Sequence, residues 1–130
     1  MALTDEERQI LVEYRTQKAK DTLIEAKDNA KLNHWSLAAN RLYYALFHMA
    51  SALLISKGIS TKTHSGTIRL LGKEFVQTGL LEKEDGNLIS RLQNMRQSGD
   101  YDDLFDWTEE DVSPLIDKTA SLLAKMENLL

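Results

Sequence analysis

The chain has 130 residues, enough to bury one hydrophobic core without staples, so a single domain over residues 1–130 is expected. It has no cysteine, which excludes disulfides, thiolate metal sites and a thiol nucleophile. Sixteen basic against twenty acidic residues leave a formal charge of −4, the wrong sign for a general nucleic-acid coat protein, although a local basic cleft stays open. The acidic, polar opening is the opposite of a secretory leader. No apolar run approaches the roughly 18–20 residues of a membrane span. A soluble cytoplasmic protein with no membrane partner is the expectation.

In chain order, Thr4-Asp5-Glu6-Glu7 is a capping-box pattern whose acids suit the positive end of a helix dipole. The helix it opens can run to about Lys31, with Val12, Ala19, Leu23, Ala26 and Ala30 near one face. Leu32-Asn33-His34-Trp35 interrupts the pattern, and Ser36 is a good N-cap for a second helix that ends at Lys57-Gly58. That helix has almost no solvent-friendly side, which belongs in the middle of a bundle. Thr63 can cap a third helix holding Ile68, Leu71, Phe75 and Val76 and closing at Thr78-Gly79. A fourth spans about Glu82 to Gln97, with Gly99 ending it. A polar-aromatic connection from Asp100 to Trp107 leads to Thr108-Glu109-Glu110-Asp111, another helix start, and a three-four apolar repeat follows to the C-terminus. Pro114 sits awkwardly there, so a helix from about Glu109 with a distorted first turn is expected. No alternating strand pattern appears. The class is all-α: an up-and-down antiparallel bundle of about five helices.

Several polar residues stand out against this apolar background. Arg41, Tyr44 and His48 share one face of the second helix, and tips placed there need partners. The expected partner is the Asp100–Tyr101 segment, with Arg41 and Tyr44 forming a buried clamp on it. His48 reads either as a core histidine bonded to a neighbouring helix or as a group within reach of the Arg96–Tyr101 segment. Arg96 borders the apolar stripe near the end of the fourth helix, where the dipole favours a cation and Asp100 or Asp102 could pair with it. His64, in Lys62-Thr63-His64-Ser65-Gly66, sits at a helix start that is either a structural cap or, with Lys62, an anion site. His34 reads as surface. Three dispersed histidines with no paired spacing on one helix offer no metal ligand set, and no cofactor is implied.

Ala39-Asn40-Arg41-x-Tyr43-Tyr44-Ala45-x-Phe47-His48, then Lys62-Thr63-His64-Ser65-Gly66, then Arg96-Gln97-Ser98-Gly99-Asp100-Tyr101 follow in order. Together they resemble the HEPN domain, in its small stand-alone prokaryotic branch, from about Thr16 to the C-terminus. The resemblance implies a homodimer whose arginine motifs meet across a two-fold cleft. It also implies pairing with a minimal nucleotidyltransferase in a toxin–antitoxin-like module, in which some members carry a tyrosine that accepts nucleotidyl groups. Tyr101 is the nearest candidate for that tyrosine. Ribonuclease members carry a histidine four to six residues after the arginine, and here Arg96 plus five is Tyr101, with no histidine downstream.

Two functions are therefore expected. One is a non-catalytic dimer that binds a nucleotide or RNA phosphate through Arg96, with Asp100, Tyr101, Arg41, Tyr44, Lys62 and His64 around it. The other is a metal-independent endoribonuclease toxin using Arg96 with Tyr101 or His48. The missing histidine favours the first. The crowding of Tyr101, Leu104, Phe105 and Trp107 suits a dimer interface.

Overall fold

A computed structural model describes residues 3–101 and 106–130, with the side chains of residues 99–101 outside the description. It contains five α-helices: α1 (Asp5–Lys31), α2 (Trp35–Ser56), α3 (His64–Leu71), α4 (Lys83–Tyr101) and α5 (Glu109–Glu127). Among the described residues there is no strand.

α1 starts where its capping box demands. Thr4 Oγ1 accepts from the Glu7 N–H, and the Glu7 carboxylate accepts from the Thr4 N–H. Its inner face is built from Val12, Ala19, Thr22 and Ala26, with Leu23 and Ala30 partly buried against the core. Alanines at successive turns let α2 come close, and α1 packs along α2 after a short connection in which Asn33 takes a left-handed φ of 62°. α2 also packs on α4, α5 and α3, which leaves it buried nearly all round. Leu42, Tyr43, Leu46, Met49 and Leu53 have no exposed surface.

Three boundaries differ from the sequence expectation. α2 begins at Trp35, with His34 at its N-cap position, so Ser36 is not the cap. Ser36 instead donates to the Asp106 carboxylate and accepts from the Trp107 N–H at 2.9 Å. A serine suited to capping is spent on tying the segment before α5 to the start of α2. The third helix does not run unbroken to Thr78. It widens after Leu71 into a π-helical turn over Gly72–Val76, closed by Gln77 N–H to Gly72 O at 2.9 Å. Phe75 is buried there, and its carbonyl takes the Leu81 N–H at 2.8 Å, which returns Leu81 to the core. α4 passes through Gly99 to Tyr101. A mid-helix glycine costs only about 1 kcal/mol relative to alanine, so it did not have to end the helix.

α5 begins at Glu109 as expected, with the Asp111 carboxylate accepting from both the N–H and the hydroxyl of Thr108. Pro114 lies inside the helix. Val112, Leu115, Thr119, Leu122, Leu123 and Met126 form its buried stripe. Trp107 is partly buried against the core and donates its indole N–H to Met95 O at 2.7 Å. Trp107 thus packs within its own chain, which weakens the sequence argument that reserves it for a dimer interface. Leu104 and Phe105 lie outside the described residues.

Leu46 sits at the centre of this arrangement with no exposed surface. Leu46→Ala should destabilise the fold by about 2–5 kcal/mol. Denaturant unfolding checks this, and a loss below about 1 kcal/mol would contradict the central position of α2.

Candidate functional site

Between its first turn and its last residue, the half-covered part of α2 is a single stripe through Asn40, Arg41, Tyr44, Phe47, Ser51 and Ile55. Rings and cations gather at its upper end. Tyr43 and Tyr44 meet edge to face with centroids 5.0 Å apart. Arg96, half-buried on α4, lays its guanidinium over both rings, 5.2 Å from the Tyr43 centroid and 5.7 Å from that of Tyr44. It donates to the Tyr44 hydroxyl at 3.2 Å. Aromatic faces hold the planar cation by cation–π attraction and restrict its orientation. Arg41 approaches the Tyr44 ring as well, at 5.1 Å. Tyr44 thus carries two guanidiniums.

His64 joins this group from α3. Thr63 caps that helix by accepting the Gly66 N–H at 2.9 Å. A Cβ on Gly66 would lie 2.8 Å from Thr63 Oγ1, so the tight cap requires glycine there. The cap sets His64 at the first helical position, with its Nδ1 3.5 Å from the Tyr43 hydroxyl and its ring 4.3 Å from that of Phe47. Burial and then the Arg96 charge lower the His64 pKa, so the ring is neutral at pH 7. Burial also raises the Tyr43 pKa, against the opposing pull of Arg96, so Tyr43 stays a protonated phenol.

His48 points to the other flank of α2. It is buried, its Nδ1 has no hydrogen-bond partner among the described residues, and its pKa falls to about 4. Desolvation is the main cause, followed by Lys18, Arg15, Arg41 and His64. The Phe47 ring at 5.8 Å and the Tyr44 ring at 6.1 Å lie between it and the Arg96 group. Of the two histidines, His64 is the one that the fold couples to Arg96.

The expected clamp on Asp100 and Tyr101 falls on side chains outside the description. Within it, Tyr44 meets Arg96, while Arg41 donates to Asn40 Oδ1 at 2.7 and 2.9 Å and to Glu25 at 3.4 Å. Lys62 is exposed beside the α3 start. A cleft of about 640 Å³ between α4 and α5 lies away from this group. Its Lys125 is already paired with Asp85 at 2.7 Å.

The arrangement presents a preset guanidinium, a neutral imidazole and aromatic faces on one side of the bundle. Sequence reading set His64 around Arg96 in one ligand-binding group but did not show that Tyr43, Tyr44 and Phe47 are what join them. They are 32 residues apart, and nothing in the local pattern joins them.

The HEPN domain family matches residues 12–129. A “UPF0332 protein” of Thermotoga maritima is 39% identical over 124 residues, covering 95% of this chain and 94% of its own length. A Methanocaldococcus jannaschii protein named “Putative toxin MJ0142” is 32% identical over 114 residues, 88% of this chain and 78% of its own. A second from that organism, “Putative toxin MJ0605”, is 38% identical over 96 residues, 74% and 69% respectively. No described helix is long and apolar enough to cross a membrane.

The depressed His48 pKa carries a stability consequence. Below about pH 6.5 the unfolded chain binds a proton at this position that the folded chain refuses until about pH 4. The stability tied to His48 is therefore fully present above pH 6.5 and is lost as the pH falls toward 4. His64 acts with the same sign, so the check is a comparison of slopes. Denaturant midpoints of His48→Gln should fall less steeply over this window than those of wild type, and identical slopes would contradict the assignment.

Proposed function

This chain belongs to the HEPN domain family, and on that premise we propose that it is a dimeric module binding the phosphate of a nucleotide or RNA. In this reading it works beside a minimal nucleotidyltransferase in a toxin–antitoxin-like pair. The observation that carries the reading is the posture of Arg96, held on two tyrosine faces and one tyrosine hydroxyl. A guanidinium fixed by rings keeps its planar fork oriented for bidentate contact with phosphate. The relatives with toxin names support the module's setting.

A second reading draws on His64. The histidine absent after Arg96 has a spatial substitute at the start of α3, neutral at pH 7 and facing the same rings. In that reading the imidazole takes the proton of a ribose 2′-hydroxyl as its oxygen attacks the adjacent phosphorus. The 5′-oxygen leaves with a proton taken from solvent water, giving a 2′,3′-cyclic phosphate, and the imidazolium returns its proton to solvent, while Arg96 balances the developing charge. The chemistry needs no metal. The binding reading stands first because Arg96 is anchored independently of His64.

Two copies are taken to pair through a specific interface of about 1,200–2,000 Å². Sedimentation should give a dimer at micromolar concentration, and a monomer at high micromolar concentration would contradict this.

Titration with adenosine monophosphate and with RNA tests the main reading. Arg96→Ala should weaken binding roughly 10–100-fold, the worth of one charge-assisted contact of about 1.5–3 kcal/mol. Arg96→Lys should restore little of it. Wild type incubated with total RNA should cut little by itself. Robust cleavage lost in both Arg96→Ala and His64→Ala would overturn the binding reading in favour of the nuclease.

A further inference from the structure

The half-covered stripe of α2 continues past the Arg96 group. Ser51 lies seven residues beyond Tyr44, about 10 Å along the helix and on nearly the same face, with His48 between them. There a cleft of about 290 Å³ opens between α1, the C-terminal half of α2 and the connection over residues 58–61. Its floor is apolar, with Leu11, Leu54 and Ile55, and its rim carries Arg8, Arg15 and the hydroxyl residues Ser51, Ser60 and Thr61.

Arg8 and Arg15 are seven residues apart and share a face of α1. Arg8 is held at 3.1 Å by Asp5, whose own side chain is fully exposed. Arg15 is in none of the ion pairs among the described residues, and its buried Nε has no hydrogen-bond partner among them. Lys18 continues the line one turn on, 5.7 Å over the Tyr14 ring, and Arg41 meets α1 two turns further along, tied at 3.4 Å to Glu25. In a chain of net charge −4, these cations make one local basic strip. Lys18, Arg15 and Arg41 all lower the His48 pKa, and the His48 ring lies 6.1 Å from Tyr44 and 5.8 Å from Phe47, so the strip and the Arg96 group border the same residue.

We propose that the α1–α2 cleft is a second phosphate site, and that with the Arg96 group it holds one single-stranded RNA backbone laid along α2. The proposal rests on the reading of Arg96 as a phosphate anchor for its second half only. Aromatic faces at one end and a cationic groove at the other are the combination by which proteins hold unpaired nucleic acid. An acidic peptide would use the cations but not the rings, which is why RNA is favoured. The hydroxyls of Ser51 and Ser60 add donors for phosphate oxygens, and the apolar floor leaves room for a ribose edge.

The test compares two probes: adenosine monophosphate, and a long oligoadenylate with 2′-O-methyl groups, which cannot be cut through its 2′-oxygen. Wild type should hold the oligomer tighter than the monophosphate. In the double variant Arg8→Gln/Arg15→Gln, oligomer affinity should fall at least tenfold. The slope of log affinity against log salt should shrink by roughly 0.7 for each lost contact. Monophosphate affinity should change less than twofold. Arg15→Lys should keep most of the slope, which a packing role for Arg15 would not require. If the double variant unfolds, Arg8→Gln alone carries the test through its share of the slope.

Unchanged oligomer affinity and salt slope in folded variants would overturn the second site. Equal binding of polyglutamate by wild type would overturn the assignment to RNA. Oligomer binding that depends on Arg8 and Arg15 but not on Arg96 would retain the second site while removing the first. Failure of wild type to bind either probe would remove both.

Discussion

Everything in this protein depends on a helix with almost no outside. α2 packs against α1, α3, α4 and α5, and its Leu42, Tyr43, Leu46, Met49 and Leu53 leave no surface to water. A helix in that position settles the rest of the bundle, since α3, α4 and α5 must bury their apolar stripes against something and α1 turns its alanine face to it. It also settles where polar chemistry can reside. The one stripe of α2 left half-covered carries arginine, tyrosine and phenylalanine instead of a solvated charge pattern, with a buried histidine on its flank. Polar groups that border a core must be matched, because an unpaired buried donor costs on the order of 1–3 kcal/mol.

The matching is done mainly with rings. Tyr43 and Tyr44 receive Arg96, Tyr44 receives Arg41, and Tyr43 and Phe47 receive His64. An aromatic face steadies a guanidinium by cation–π attraction and restricts its orientation. The two histidines divide along the same lines. His48, turned toward the cations of α1, is kept neutral deep in the bundle. His64 is neutral beside Arg96 at a helix start.

Much of the fold was legible in the sequence because its signals are local. Thr4 with Glu7, Thr63 with Gly66 and Thr108 with Asp111 announce helix starts within four residues, and each forms the bonds its residue types suggest. The apolar circumference of α2 announced its burial. Where reading failed, a distant partner competed with the local preference. Ser36 has the chemistry of a cap, but Asp106 and Trp107, seventy residues away, claim its hydroxyl. Gly99 has the look of a helix stop, yet α4 passes through it. Arg96 and His64 were each visible as unusual residues. Their meeting across Tyr43 depends on how α3 and α4 fall around α2, which no spacing within either helix encodes.

The central claim is that Arg96 and His64 form one preset phosphate site on the aromatic stripe of α2. Nuclear magnetic resonance tests it most directly, by following the arginine side-chain N–H and histidine ring signals while adenosine monophosphate is added. The account predicts that the Arg96 Nε–H and His64 ring signals move together along one binding curve, with those of Arg91 and His34 unmoved. Phosphate-dependent shifts confined to other residues, with Arg96 and His64 still, would contradict it.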